Sequence, residues 1–545
     1  MGQYRYDGHH TGGSPMTEHR NEPWRALGGA ALAGLVVALL AACASSAPRA
    51  AAGAAGAPEA AETGANAIHR GDVLWLERIG FGLDSASLAQ YRAIGRARFL
   101  DAQLESRAAT LPAAIAAQIE AMEVVHTDPL RALAAVAEQN KAINAMPEGP
   151  DKELARKNLN EHGNQLAYQA IRRDLLRAVY SPAQLQEQMV WFWLNHFSVY
   201  QYKANLRWLI GDYEEHAIRP HALGHFRDLV LASLEHPAML QYLDNTQNAS
   251  GHLNENYARE LMELHTLGVG SGYTQQDVQQ LARVLTGVGV NAGEEPHLRP
   301  ELQRLYRRVG AFEFNPARHD FGGKSLFGHP IDGSGFGEVE KAVTLITREG
   351  ACAHFIARKL ATYFVADDPP PQLVERMAQT FQRTDGDIAE VLRTMFLARE
   401  FDAALGAKFR DPVHFVLASV RLAYDGQTIR NTRPLLNWLS ALGEPPYGRA
   451  TPDGYPSTEP GWASPGQLSR RFEIARAIGS GNAGLFEPED GSPATSAGFP
   501  QLENRLYFEA IEPFLAAQTR AGLARATSQG EWNTFLLSST DFSYE

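Results

Sequence analysis

Apolar side chains recur at helical spacing along most of this chain, and no stretch sustains the alternation of a half-buried strand. The windows 88–104, 111–122, 129–141 and 152–179 each read as helices. The second carries Pro112 in its first turn, where the missing N–H does no harm. Ser181, Pro182 and Gln184 supply the cap, first-turn proline and third-position amide of another helix start. Thr274 and Asp277 mark a further start, followed by Val278, Leu281, Ala282 and Leu285 on one face. Asp411-Pro412 opens one more, running into the apolar segment 413–418. The fold class this predicts is all-α or mainly α, a large multi-helix domain.

Two long Gly/Pro-rich loops, 287–338 and 443–465, interrupt the helices. The first has the makings of a small β-hairpin, with 305–307 and 311–314 as its strands. Loops of this size on a helical scaffold either cover and build a site or are surface insertions. A short internal echo relates 395–401 to 535–542, each a helix end followed by an aromatic.

The N-terminal region reads differently. Residues 1–15 resemble an upstream extension, with Met16 as an alternative start. Arg20 and Arg25 precede an apolar stretch, 26–42, shorter than a spanning helix requires. It ends Leu40-Ala41-Ala42-Cys43, which resembles a bacterial lipobox. The boundaries expected are an extension and lipoprotein signal over 1–42, a lipidated Ala/Gly-rich tether over 43–66, and a helical domain over 67–545. Acylation of Cys43 would anchor the chain to the lipid bilayer of the bacterial cell envelope. Ala44 after the cysteine favours the outer membrane, facing the periplasm. The remaining thiol, Cys352, sits in an apolar helical pattern and is expected to be buried. With so few cysteines a thiolate-rich metal site is excluded. The formal charge is -12, and no basic block or aromatic-basic stripe points to nucleic acid.

The chemistry concentrates in residues 254–268, read as one helix ending at Gly268. Projected at helical spacing, Asn256, Glu260 and Glu263 share a face. Glu260 falls between Leu264 and Leu267, with Tyr257 and Leu261 continuing the apolar arc. It is therefore the acid most drawn inward, with Glu263 and Arg259 at the margin and His265 directed away. A buried carboxylate must be paired, metal-bound or protonated. One reading is an ion-pair network locking the helix. The other is a cavity where Glu260 and Glu263 bind a divalent cation or share acid/base work. His196, on the aromatic helix of 191–197, is either a core histidine or a partner for Glu260. Lys203 and Arg207 follow it as neutralising cations. His319 and Asp320, before Gly322 and Lys324, form either a turn or a reachable His/Asp pair, with His319 the further metal ligand if there is one. Lys324 lacks the rest of a phosphate loop. Asp244, in the polar loop 244–248, is either a ligand-binding rim or an ordinary turn.

Taken together, these motifs resemble the DUF1800 family of exported bacterial proteins. The residues that carry the likeness are Arg78-Ile-Gly-Phe-Gly82, Trp193-Leu-Asn-His-Phe197, Met239-Leu-Gln-Tyr-Leu-Asp-Asn245 and the run 254–264. Gly272-Tyr-Thr274, Asp277-Val278, Leu285-Thr-Gly287, His319-Asp320, Gly322-Gly-Lys324 and Arg358-Lys-Leu360 continue it. Asp453-Gly-Tyr-Pro456, Trp462 and Ser538-Ser-Thr-Asp-Phe542 complete it. The family commonly has Thr-Gly-Trp where this chain has Thr286-Gly287-Val288. The resemblance implies a largely helical, exported protein with no settled activity. It also implies an envelope process shared with a DUF1501-like exported partner, a family that itself resembles sulfatase-like hydrolases.

The function expected is an envelope lipoprotein that binds a ligand or serves assembly. The alternative is a metal-assisted hydrolase or transferase with Glu260, His196 and His319 around one cavity. A third reading, a scaffold for surface polymers, predicts a shallow groove lined by Trp and Tyr.

Overall fold

The computed structural model describes residues 68–105, 109–489, 491–492 and 499–545. The leader, Cys43 and the tether lie outside the described residues. No helix among the described residues is long and apolar enough to cross a membrane.

The centre of the domain follows from one sequence segment. Residues Pro412–Ala423 carry apolar side chains all round, and every one of them is buried. Such a helix has no solvent face, so its neighbours must surround it. Asp411 caps it by accepting from the His414 N–H at 2.9 Å, with Pro412 in the first turn as expected. The helix Gln184–His196 is nearly as enclosed and lies alongside. Between them Gln188 ties three elements together. Its amide donates to the Gly80 carbonyl at 2.7 Å, and its carbonyl accepts from Tyr363 at 2.6 Å and from His414 Nε2 at 2.9 Å.

The segment 78–82 is the turn that seats on this centre. Arg78 donates to the carbonyls of Phe364 and Tyr363 at 2.6 and 2.8 Å and pairs with Glu545. Gly82 has φ 94°, and a Cβ there would stand 2.7 Å from the Ala418 Cβ. Around this core the helices Ser85–Glu105, Pro129–Ala145, Pro150–Tyr180, Gly350–Phe364 and Pro371–Arg383 form the body. The mainly helical architecture is as expected.

Several details differ from expectation. Helix Ser85–Glu105 is broken at Gly95, whose φ is 77°. The window 111–122 divides into Ala113–Glu120 and Glu123–His126. Ser181 is not an N-cap. It closes the preceding long helix, and the next begins only at Gln184, whose amide donates back to the Ala178 and Ser181 carbonyls. Thr274 and Asp277 do form the reciprocal cap. The small β element is larger than one hairpin. Strands β1 (Val288–Val290), β2 (Arg307–Val309) and β3 (Phe312–Phe314) form an antiparallel sheet in the order β1-β3-β2. Phe314 faces Val288 on one side and Arg307 on the other. A second hairpin pairs β4 (Lys324–Leu326) with β5 (His329–Ile331) through a turn whose central residues, Phe327 and Gly328, both have positive φ.

Gly82→Ala should therefore strain the backbone and drive a methyl into the central helix. Left-handed strain and overpacking each cost about 1–3 kcal/mol. The expected loss is roughly 2–6 kcal/mol, read as a lower urea midpoint, and an unchanged midpoint would count against this seating.

Candidate functional site

The segment 254–268 does not run as one regular helix. It is α-helical over Asn256–Glu260 and then π-helical over Leu261–Thr266. The wider turn rotates every later side chain away from its projected position. The expectation for this segment is thereby inverted. His265 is fully buried, whereas Glu260 is only half-buried. Among the described residues neither ring nitrogen of His265 makes a hydrogen bond, and burial, then the nearby Lys359, hold its pKa near 3. Glu260 makes no hydrogen bond or ion pair within the described residues. Burial, then the Glu263 and Asp453 carboxylates, push its carboxyl above the usual range against the pull of Arg259.

Most of the other singled-out polar residues serve the framework. Asn256 is exposed and its amide donates to the Leu243 carbonyl at 3.1 Å. Asp244 sits in a left-handed conformation and pairs with Lys203 at 2.8 Å. Arg207 turns instead to Asn164 at 2.9 Å. Arg259 bridges Glu255, Gln275 and, at 3.7 Å, Glu263. His319 is committed at both nitrogens: Nδ1 lies 2.7 Å from the Thr286 carbonyl and Nε2 2.9 Å from Glu338. Lys324 meets the other Glu338 oxygen at 2.7 Å, and all three side chains are completely buried. Burial raises the Glu338 carboxyl, but hydrogen bonds from His319 and Lys324 outweigh it and leave it lowered. Asp320 pairs with Arg283 at 2.8 Å and caps Gly322, which brings its pKa to about 2. No hydrogen bond, ion pair or ring contact joins His319 to Glu260 or His196 among the described residues. Among the described residues no three His, Cys, Asp or Glu side chains converge into a cation site. The His319–Lys324 segment thus forms an internal clamp between the β4–β5 hairpin and helix Gly337–Arg348.

His196 leads to a different residue. It is buried among Phe192, Trp193, Phe197 and His265. Its Nε2 lies 2.9 Å from the His265 carbonyl. A carbonyl only accepts, so Nε2 carries the proton and Nδ1 offers its lone pair. That lone pair meets Lys359 Nζ at 3.0 Å. Burial, then Lys359, hold the His196 pKa well below the ordinary value, so the imidazole stays neutral. Lys359, half-buried on helix Gly350–Phe364, makes no ion pair among the described residues. Burial brings its pKa from 10.5 to about 8, against an opposing pull from Asp453. The Asp453 carboxylate also acts on Glu260.

Asp453 arrives on the loop 443–465, which docks on the helix Gln184–His196. Asn195 donates to the Tyr455 carbonyl at 3.0 Å and accepts from the Tyr455 N–H at 2.6 Å. The approach is so close that a Cβ on Gly454, whose φ is 74°, would lie 2.2 Å from the Asn195 carbonyl. Tyr242 donates to Ala450 at 3.0 Å from the other side. Arg449 holds Asp453 through two contacts, 3.1 and 2.6 Å. Burial raises the Asp453 carboxyl, but Arg449 and Thr451 bring it below its ordinary value. The half-buried Tyr455 of the same loop and the buried Tyr242 act electrostatically on Arg449. The loop therefore builds a polar face from Lys359, Asp453, Arg449 and Glu260 with tyrosines at its edge.

A family model described as a protein of unknown function, DUF1800, matches residues 74–544. The chain belongs to the DUF1800 family. Comparison with curated proteins and with solved structures returns no match. In this DUF1800 protein the Trp193–Phe197, 254–264, Arg358–Leu360 and Asp453–Pro456 motifs meet at one place, and Lys359 is the residue that the reading of isolated motifs missed. The signal was available: Cys352, Phe355, Ile356, Lys359 and Tyr363 fall on one helical face, which puts a lysine in an apolar stripe. A cavity of about 230 Å³ lined by Gln186, Glu215, Arg219, Pro220 and Leu223 lies elsewhere. It borders the network of Arg173, Arg177 and Arg219 with Glu187, Glu214 and Glu215, where each charge already has its counter-charge.

Two outcomes separate the clamp from the lysine. Glu338→Gln leaves the buried Lys324 ammonium without its carboxylate and should lower the urea unfolding free energy by about 3–5 kcal/mol. Lys359→Met should do the opposite. The folded protein holds this lysine's pKa below its unfolded value, so the unfolded chain binds more protons between pH 8 and 10.5. Wild-type stability therefore rises through that window, and the variant's advantage of about 1–3 kcal/mol at pH 7 should disappear by its upper end. Destabilisation by Lys359→Met at neutral pH would make the lysine a packing residue.

Proposed function

We propose that this DUF1800 protein is an envelope-anchored ligand-binding protein whose site is the face formed by Lys359, Asp453, Arg449 and Glu260. The observation that carries this reading is the unpaired, half-buried Lys359 ammonium set beside an exposed carboxylate held in place by Arg449. Fixed carboxylates accept hydrogen bonds from hydroxyl groups, the cations donate to ring and carbonyl oxygens, and tyrosine faces pack against sugar rings. The ligand that fits is a hydroxyl-rich saccharide of the cell envelope. Lipidation at Cys43 would hold the domain on the periplasmic side of the outer membrane, within reach of such polymers and of a DUF1501-like partner.

A second reading rests on a separate observation. Glu260 and Asp453 interact, yet their surroundings push their acidities apart, Glu260 upward and Asp453 downward. A carboxylic acid and a carboxylate in one site are the requirement for acid/base hydrolysis of a glycosidic bond. This hydrolase reading routes through the chain's own carboxylates. If a divalent cation takes part, Glu260 and Asp453 are the oxygen donors that face the site.

Titration of the full chain with soluble peptidoglycan fragments and with neutral envelope oligosaccharides tests both. Binding that weakens at least tenfold in Asp453→Asn and Arg449→Gln supports the first reading. Release of reducing ends by the wild type, lost in Glu260→Gln with binding retained, selects the second. Equal binding by wild type and Asp453→Asn would remove the site.

A further inference from the structure

Lys359 differs from every other lysine in the chain. Lys152, Lys203, Lys324 and Lys408 are wholly or partly withdrawn from solvent, and each contacts a carboxylate: Glu148, Asp244, Glu338 and Asp367 respectively. Lys141, Lys157 and Lys341 are exposed to water. Lys359 alone is withdrawn from solvent without an ion pair among the described residues. The groups that face it are His196 from helix Gln184–His196, His265 from the π-helical turn, Asp453 from the 443–465 loop beyond ion-pair distance, and the Phe355 ring, whose centre is 5.3 Å from Nζ. Both imidazoles are neutral, and neither supplies a counter-charge. Among the described residues the one direct polar contact of Nζ is the 3.0 Å hydrogen bond to His196 Nδ1. Because His196 Nε2 is already donated to the His265 carbonyl, Nδ1 has to accept. One N–H of Lys359 is thereby fixed against the imidazole, and the amine's lone pair, when the proton is lost, points away from it.

We propose that Lys359 is a nucleophilic amine that captures an aldehyde or ketone carbonyl as a Schiff base. The proposal rests on the same ligand face as the binding reading and names the substrate class it would take, a hydroxylated carbonyl compound such as an open-chain sugar. In the step, neutral Nζ attacks the carbonyl carbon. The Nζ–C bond forms, the C=O π pair moves to oxygen, and one nitrogen proton passes to that oxygen. The hydroxyl then leaves as water together with the second nitrogen proton, and the nitrogen pair closes the C=N bond. No oxidant or reductant takes part. Withdrawal from water supports the chemistry, because a desolvated lysine holds a far larger share of free amine near neutral pH than an exposed one, about a tenth at pH 7.

The experiment is reductive trapping of the full chain with glycolaldehyde and cyanoborohydride, read by peptide mass spectrometry at each lysine. At pH 7 a lysine titrating near 8 has about two hundred times the free-amine fraction of an ordinary one. Lys359 should therefore be modified at least ~10 times faster than Lys141, Lys157 and Lys341, with a rate that climbs to a plateau through a midpoint near 8. Modification at the pace of the exposed lysines, or a rate still climbing beyond pH 9.5, would overturn the proposal. Lys359→Arg keeps the charge and folds without the amine. It should lose the fast site while leaving the modification of Lys141, Lys157 and Lys341 unchanged. Fast trapping at Lys359 with no saccharide binding would sink the binding reading alone. Saccharide binding without fast trapping would sink this inference alone.

Discussion

A helix buried on every side cannot leave any of its polar groups to water. Pro412–Ala423 imposes that condition on the rest of the domain. Ser419 returns its hydroxyl to the Phe415 carbonyl at 2.7 Å, His414 is held between Asp411 and Gln188, and Arg421 reaches the Val179 carbonyl and Asp84. Gln188, Val179 and Asp84 each belong to a different neighbouring element, so satisfying the helix fixes how those elements approach it. The 78–82 turn shows the consequence. Its glycine makes room for the helix surface, and its arginine closes the carbonyls at the end of helix Gly350–Phe364. A buried polar group left unpaired costs about 1–3 kcal/mol, and with so many in one core the arrangement tolerates few exceptions.

His265, with neither ring nitrogen partnered among the described residues, and Lys359, without a carboxylate, are two exceptions that act on one another. Comparison with Lys324 shows what a purely structural lysine looks like in this fold: full burial, a carboxylate at 2.7 Å and backbone carbonyls around the remaining protons. Lys359 has none of these. The carboxylate that acts on it, Asp453, is instead committed to Arg449. The domain thus spends stability to keep an ammonium poorly paired at the edge of its core, and positions where stability is conceded are where binding and chemistry concentrate.

Much of the architecture was legible because it depends on local periodicity and capping. The long helix Pro150–Tyr180 and the Thr274 and Asp411 starts follow from residues close together in the chain. The echo between 395–401 and 535–542 also has a local cause. In both places a helix ends and a second short helix begins, burying Phe401 or Phe542. What local reasoning could not supply was set by distant partners. Strand β1 is three residues long and exists because β3 pairs with it, so no alternation announced it. Val288, standing where the family commonly has tryptophan, is fully buried opposite Phe314. His319 and Asp320 read as either a turn or a reachable pair, because Glu338, which takes up His319 and Lys324, is absent from any motif.

The π-turn is the clearest case of geometry overruling projection, and it changes what the family's most recognisable segment contributes. Counting at regular helical spacing makes Glu260 the interior group and sends His265 outward. One widened turn brings His265 inward, while Glu260, which precedes it, stays half-buried. Carbonyls in the last turn of a helix have no partner within it, and the His265 carbonyl finds its partner in His196 Nε2. That bond sets the imidazole tautomer, which turns Nδ1 into an acceptor for Lys359. So the acid-rich run acts on the lysine through a backbone oxygen two bonds of the network away, while its carboxylates remain at the half-buried edge. A substitution of Glu260 and a rewinding of the π-turn should therefore perturb different things: the first the ligand-facing edge, the second the orientation of the amine itself.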